Sequence, residues 1–174
     1  KSYIDTNIIG TYNILKVTQN NKIKKTIHTS TSEVYGGNHK KPIKEYHQNY
    51  AQSPYAASKI GADQLCISFY CSFNCPVVII RPFNTFGPRQ SNRAIIPTII
   101  NQLISSNKLN LGNVNTFRDL NYIDDTIEAY IKILKSTKNI NGEIFNVGSG
   151  FNFSIKKIAE MLIKISGKKV KINK

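Results

Sequence analysis

The sequence has no tryptophan, one methionine, three cysteines and only 10 acidic residues to set against 24 basic ones. Cys66, Cys71 and Cys75 are odd in number and have neither a CxxC spacing nor a histidine nearby, so a disulfide-knit miniprotein and a zinc ribbon are both excluded. They read as buried, reduced thiols of a cytoplasmic protein, and no metal site is expected. No run approaches the roughly 18 apolar residues of a membrane span. The opening KSYIDTN lacks the charged start, apolar middle and small-residue cleavage site of a signal peptide, so nothing points to secretion. The shortage of acid leaves a net charge of +14, which invites a nucleic-acid partner. The distribution argues against one. Lysines fall in scattered groups (Lys22, Lys24, Lys25; Lys40, Lys41, Lys44; Lys156, Lys157, Lys164, Lys168, Lys169) that read as solvent faces, and arginine, the better fork for bases and phosphates, is scarce.

What is present is a core-forming composition, 40% hydrophobic over 174 residues, enough for one domain. Ile4, Ile8, Thr11, Leu15 and Thr18 recur at helical spacing up to Asn20-Asn21, and a β-type run follows at 25–30. After a loop at 36–52, a helix from Pro54 carries Ala56, Ala57, Ile60, Leu65, Phe69 and Phe73 to Asn74. Pro76 ends it, and Val77 to Ile80 is an unbroken apolar run suited to a parallel strand buried on both faces. Helix and strand in alternation are the grammar of a doubly wound α/β sheet. Downstream, the pattern predicts a helix over 95–105 with Pro97 in its first turn, a strand at 109–111, an extended stretch at 117–123, a helix capped by Asp124 and Asp125, and a strand at 143–147. Ser154 then reads as the N-cap of a final apolar-striped helix ending at Gly167.

Chemistry concentrates at Tyr55-Ala56-Ala57-Ser58-Lys59. Tyrosine and lysine four apart share one helical face. A phenol with a pKa near 10 is a poor base at neutral pH, and lowering it by about three units takes about 4 kcal/mol of differential stabilisation. A neighbouring ammonium and a bound nicotinamide cation together could supply that. Tyr55 could then take a hydroxyl proton while hydride leaves the same carbon. Context comes from Thr29 to Gly36, TSTSEVYG, at the carboxyl end of the preceding strand, where open α/β sheets bind ligands. Arginine placement adds to it, since Arg81, Arg89 and Arg118 all lie within the distinctive motifs.

Through STSEVYG, SPYAASKIGADQL, RPFNTFGPRQ, FRDLNYIDD and EIFNVGSG, essentially the whole chain resembles the extended short-chain dehydrogenase/reductase family of nucleotide-sugar enzymes. That resemblance implies the C-terminal half of a Rossmann-type parallel sheet plus part of a smaller substrate-binding domain, with 1–92 and 121–150 in the former and 93–120 and 151–174 in the latter. It implies NAD as cofactor, with Ser30, Tyr55, Lys59, Pro82 and Phe83 on the cofactor side, and Thr31 assisting Tyr55. Glu33 resembles the base of the 4,6-dehydratases, which removes the C5 proton of a C4-oxidised sugar. Dehydratases of dTDP-glucose place Asp before that Glu. Ser32 departs from them and resembles instead the GDP-mannose and retaining N-acetylglucosamine types, for which a UDP- or GDP-linked substrate is expected. Asn84, Arg89 and Arg118, with Asn146, are implied on the substrate side, whereas Arg81 reads as structural at its strand end.

Two other enzyme readings stand beside this one: a UDP-glucuronate decarboxylase, which shares TSE, and a UDP-sugar 4-epimerase. No GxxGxxG occurs. Gly36-Gly37 and Gly148-Ser149-Gly150 lack the spacing and strand-to-helix context of a pyrophosphate loop. An internal fragment is therefore expected, one that binds NAD poorly and turns over nothing by itself. A reading of another class is a non-catalytic remnant. Either way, a homodimer through helices 3–19 and 55–73 is what the resemblance implies.

Overall fold

The computed structural model describes residues 1–37 and 42–173, so Lys40 and Lys41 of the basic groups lie outside it. Its residues form two compact units, Lys1–Phe83 with Asp124–Gly148, and Asn84–Ile123 with Ser149–Lys174.

The first unit is built on a parallel sheet of β1 (Thr26–Thr29), β2 (Val77–Pro82) and β6 (Ile144–Val147), with β2 central. The β2 run VVIIRP is almost wholly buried, and its period-2 alternation feeds two cores. Val77 and Ile79 pack with Leu15 of α1 (Gly10–Asn20) and with Cys66 and Phe69 of α2 (Pro54–Phe73). Val78 and Ile80 pack on the other side with Ile133 of α4 (Ile123–Lys135). Helices on both faces make this a doubly wound α/β arrangement. Each of these four side chains contributes about 1.5–3 kcal/mol by leaving water.

Local signals set the ends of α2. Ser53 accepts the Ala56 N–H at 3.0 Å, Pro54 occupies the first turn, and Asn74 takes the left-handed conformation (φ 52°) that closes the helix. The first helix departs from the expected pattern. Residues Ile4–Ile9 are π-helical, and the wider i→i+5 turn breaks the 3.6-residue register. Leu15 and Thr18 are buried, while Ile4 is 55% exposed. Cys66 and Cys75 are buried as the composition suggested, but Cys71 is exposed on the solvent side of α2.

The second unit holds β3 (Asn84–Phe86), α3 (Ile95–Ser105), β4 (Lys108–Asn110), β5 (Phe117–Tyr122), β7 (Asn152–Ser154), α5 (Ile155–Ser166) and β8 (Lys171–Asn173). β5 pairs parallel with β3 and antiparallel with β7, and β4 pairs with β8. Its core joins Ile99 and Leu103 of α3 to Ile155, Ile158 and Ala159 of α5, around Leu109 and Val114. Ser154 caps α5 by accepting the Lys157 N–H at 3.1 Å, and Gly167 ends it at φ 67°. Asp124 and Asp125 lie inside the first turn of α4 rather than before it, so they meet the helix dipole instead of capping.

Two lysines read as solvent-facing are tied down. Lys25 donates to the carbonyls of Ile133 and Ser136 at the end of α4, and Lys168 to those of Leu103 and Ile104 at the end of α3. They add donors at helix ends, where carbonyls lack the full intrahelical set of partners. Among the described residues, no helix is long and apolar enough to cross a membrane, and no group of three His, Cys, Asp or Glu could hold a metal ion.

Candidate active site

The carboxyl ends of the parallel strands and the start of α2 bring the central group together. Ser53 and Pro54 begin α2 so that Tyr55 falls in its first turn, with Lys59 one turn later. β1 ends at Thr29, whose carbonyl accepts the Lys59 Nζ at 2.6 Å. Thr31 then caps a 3₁₀ turn, Ser32–Tyr35, by accepting the Glu33 N–H at 3.2 Å, and its side chain also hydrogen-bonds the Tyr55 hydroxyl. Gly36 closes the turn at φ 73°, where a Cβ would meet the Tyr50 carbonyl oxygen at 2.9 Å, so a side chain there is excluded twice over. Thr31, Ser32, Glu33, Tyr55 and Lys59 thus belong to one constellation in the first unit.

Its electrostatics differ from the expected ones in one respect. The ammonium one turn from Tyr55 was expected to favour the phenolate. Here that ammonium is directed to the Thr29 carbonyl, and burial holds the Tyr55 hydroxyl above the ordinary phenol range. The Glu33 carboxylate and Tyr3 push it further up, and the hydrogen bond from Thr31 offsets part of the rise. Tyr3 touches Tyr55 edge-to-face, with ring centroids 5.8 Å apart. Burial lowers the Lys59 ammonium from its usual value, opposed by Asp63 and Cys66. Burial and the Glu33 carboxylate thus favour the neutral phenol of Tyr55 over the phenolate.

Ser30 follows β1 with its hydroxyl buried and without a hydrogen-bond partner. Pro82 and Phe83 close β2, and the Phe83 N–H donates to the Val147 carbonyl at 2.8 Å. A cavity of about 440 Å³ lies beside β1 and the first helix, and Lys59 lines it while Tyr55 and Glu33 do not.

Beneath this group lies a buried polar network that sequence reasoning saw only in part. Arg81, 1% exposed, directs Nε and Nη2 to Asp63 Oδ2 at 3.0 and 2.8 Å and Nη1 to the Tyr35 hydroxyl at 2.7 Å. His28 Nε2 stands 3.2 Å from Asp63 Oδ1. The Tyr35 hydroxyl donates to Asn146 Oδ1 at 2.8 Å, and burial keeps that phenol above its ordinary range. Asn146 also donates its side-chain amide to the Ile43 carbonyl and its backbone N–H to Glu45. Both ends of the Asn146 amide thus have partners inside the first unit. The signal available for Asp63 was a lone acid in a mostly apolar helix, four residues beyond Lys59.

In the second unit, Asn84 pairs opposite Leu120, two residues from Arg118, so Asn84 and Arg118 lie on one face of adjacent strands. Both are exposed. Asn84 Nδ2 donates to the Asp119 carbonyl, and Arg118 Nη1 to the Phe117 carbonyl at 2.8 Å. Arg89 is exposed in the loop after β3 with φ 64°. The Gly148-Ser149-Gly150 turn has a partner not foreseen: the Asp119 carboxylate accepts from the Ser149 N–H and hydroxyl and from the Gly150 N–H.

The pattern of the family described as GDP-mannose 4,6 dehydratase matches residues 1–174. The dTDP-D-glucose 4,6-dehydratase of Dictyostelium discoideum is 36% identical over 94% of this chain and 40% of its own length, and the human one 34% identical over 91% and 45%. Among solved structures, the UDP-glucuronic acid 4-epimerase of Bacillus cereus, in complex with UDP-glucuronic acid and NAD, has a TM-score of 0.91 at 35% identity, covering 98% of this chain and 54% of that one. The NAD complex of dTDP-glucose 4,6-dehydratase from Bacillus anthracis also has a TM-score of 0.91, at 28% identity, covering 99% and 57%. The chain spans about half the length of the relatives it matches.

Proposed function

We propose, from the premise that this chain belongs to the GDP-mannose 4,6-dehydratase family within the epimerase/dehydratase branch of the short-chain dehydrogenases/reductases, that its protein dehydrates a sugar nucleotide to the 4-keto-6-deoxy product. The observation that carries this reading is Glu33, an exposed carboxylate whose charge is felt at Tyr55 and whose turn is tied to Tyr55 through Thr31. A 4-epimerase has work for Tyr55, Lys59 and Thr31 but none for that acid.

Tyr55 takes the C4 hydroxyl proton, held in place by Thr31. Glu33 then takes the C5 proton, the C6–O bond breaks, and the same carboxyl gives its proton to the departing oxygen, so one water is lost. The C5–C6 double bond is then removed by return of the C4 hydride to C6 and of a proton to C5, which gives the 4-keto-6-deoxy product. NAD, when bound, supplies the hydride acceptor and donor and a positive ring that favours the Tyr55 phenolate. Ser30, Tyr55, Lys59, Pro82 and Phe83 are the residues that would hold it. The buried, partnerless Ser30 hydroxyl fits that role, being the kind of orphan a ligand satisfies. This reading assigns the cofactor to the first unit and gives the second Arg118, Asn84 and Arg89 as candidate ligands of the substrate diphosphate. A planar fork can take two phosphate oxygens at once.

Ser32 before Glu33 leaves one carboxylate to handle both protons, which favours a UDP- or GDP-linked N-acetylglucosamine-like sugar over dTDP-glucose. The exposed Tyr3, Ile4, Tyr12, Ile14 and Val17 of the first helix and Phe73 of α2 support a homodimer through helices 3–19 and 55–73. The test is NMR analysis of products from the full-length protein with NAD and UDP- or GDP-N-acetylglucosamine. A C6 methyl beside a C4 ketone is expected, and Glu33→Gln should keep C4 oxidation while losing elimination. Release of carbon dioxide from UDP-glucuronate, or C4 inversion that survives Glu33→Gln, would replace this reading with decarboxylation or epimerisation.

A further inference from the structure

Glu33 is useful only if it stays beside Tyr55, yet the two sit on different elements, Glu33 at the exposed position of a four-residue turn and Tyr55 on α2. Local bonds fix the start of the turn: Thr31 accepts the Glu33 N–H, and the Val34 carbonyl accepts the Tyr50 N–H at 2.8 Å. The end of the turn is Tyr35, 1% exposed, whose ring packs under the Arg81 guanidinium at 4.8 Å and whose hydroxyl Arg81 also holds. Arg81 is gripped in turn by Asp63, two helical turns beyond Tyr55 on the same helix. A continuous line of buried hydrogen bonds, Asp63 to Arg81 to Tyr35, therefore runs from the helix bearing Tyr55 to the turn bearing Glu33.

Stability does not explain this line, because apolar side chains of similar volume usually replace a buried ion pair at no loss or at a gain. Directionality does. The Arg81 fork has one edge on Asp63 and its remaining terminal nitrogen on Tyr35, a geometry that lysine or a hydrophobe cannot reproduce. We propose that Tyr35, held by the Asp63–Arg81 pair, is a positioning residue that sets Glu33 against Tyr55. This deepens the reading above, resting on Glu33 and Tyr55 acting on one substrate, and Tyr35 itself touches no reacting atom. Supporting residues of this kind are what keep a site within its productive geometry.

The test needs neither cofactor nor substrate. The whole chain is labelled with 3-fluorotyrosine, whose phenol titrates in milder alkali, and the Tyr55 signal, assigned with Tyr55→Phe, is followed by ¹⁹F NMR against pH. The groups facing that phenol are Glu33, Tyr3 and Thr31, with Lys59 one turn along its own helix. Glu33→Gln should move the Tyr55 midpoint down. Tyr35→Phe should also move it down when Glu33 is present, and leave it unmoved in the Glu33→Gln background. A merely structural role would change thermal stability in both backgrounds without that dependence. A Tyr55 midpoint unaffected by Tyr35→Phe, or shifted equally in both backgrounds, overturns the proposal. Arg81→Lys, which keeps the charge and breaks the fork, carries the same cycle if Tyr35→Phe does not fold. Product analysis failing to find dehydration while this cycle shows coupling would sink the reaction and leave the positioning intact, and the opposite pattern would do the reverse.

Discussion

Replacing Asp63 by Asn removes the carboxylate paired with Arg81 in the interior of the first unit. The Asp63 side chain is wholly buried and that of Arg81 only 2% exposed, and the carboxylate carries two Arg81 nitrogens at 3.0 and 2.8 Å with His28 at 3.2 Å. An amide keeps the shape but strands a cation, and breaking one partner of such a pair costs about 3–5 kcal/mol. At about 4 °C per kcal/mol for a unit of this size, the thermal midpoint should fall by about 12–20 °C. Circular dichroism melts and urea titrations read this, the latter guarding against a change in the unfolded state. The paired replacement Asp63→Leu with Arg81→Met provides the decisive contrast. It leaves no stranded charge, and the Tyr35 hydroxyl still donates to Asn146, so it should recover to within about 1 kcal/mol of the parent. A cost below about 1 kcal/mol for Asp63→Asn, or a paired replacement as damaging as the single one, would show that Arg81 does not depend on this carboxylate.

The cysteines and lysines supply two further tests. Ellman's reagent should titrate one thiol in the native chain, Cys71, and three after denaturation. Burial pushes the Cys66 thiol from 9.0 up to about 12. The unfolded chain therefore loses that proton first, and the stabilisation, fully present below pH 9, is lost as pH rises toward 12 at about 1.4 kcal/mol per unit. Cys66→Ala should flatten an alkaline stability profile by about one proton, and an unchanged slope would contradict it. Lys25→Met should cost about 1–2 kcal/mol of unfolding free energy, read by urea titration, by removing two bonds to the end of α4, whereas the exposed Lys24→Met should stay within about 0.5 kcal/mol.

Legibility in this sequence followed the range of the interaction responsible. α2 was readable because Ser53, Pro54 and Asn74 act on their own neighbours, and β2 because four successive β-formers can only be buried on both faces. The π-helical turn at Ile4–Ile9 was not, since widening one turn changes which residues share a face without changing their composition. Nor were β3 and β7, whose three residues become strands only by pairing with β5 across long stretches of chain. The site divides the same way. Tyr55 and Lys59 are one helical turn apart, and TSTSEVYG is contiguous, so their residue types could be placed from spacing. Whether a charge faces solvent or a partner depends on residues far away: Lys25 caps a helix 108 positions on, and Arg81 meets Asp63 and Tyr35 from 18 and 46 positions away. Burial of a polar group is nonetheless constrained, because a guanidinium in the midst of VVIIRP has to find acceptors. The acid nearest to that strand in sequence is Asp63, and the next, Glu45 and Asp119, are twice as far from Arg81. Of these, Asp63 alone sits within a mostly apolar helix, one turn beyond Lys59. An arginine in an apolar strand is thus a request for a partner that the sequence itself narrows to a few residues, and the choice among them fixes where α2 lies against the sheet.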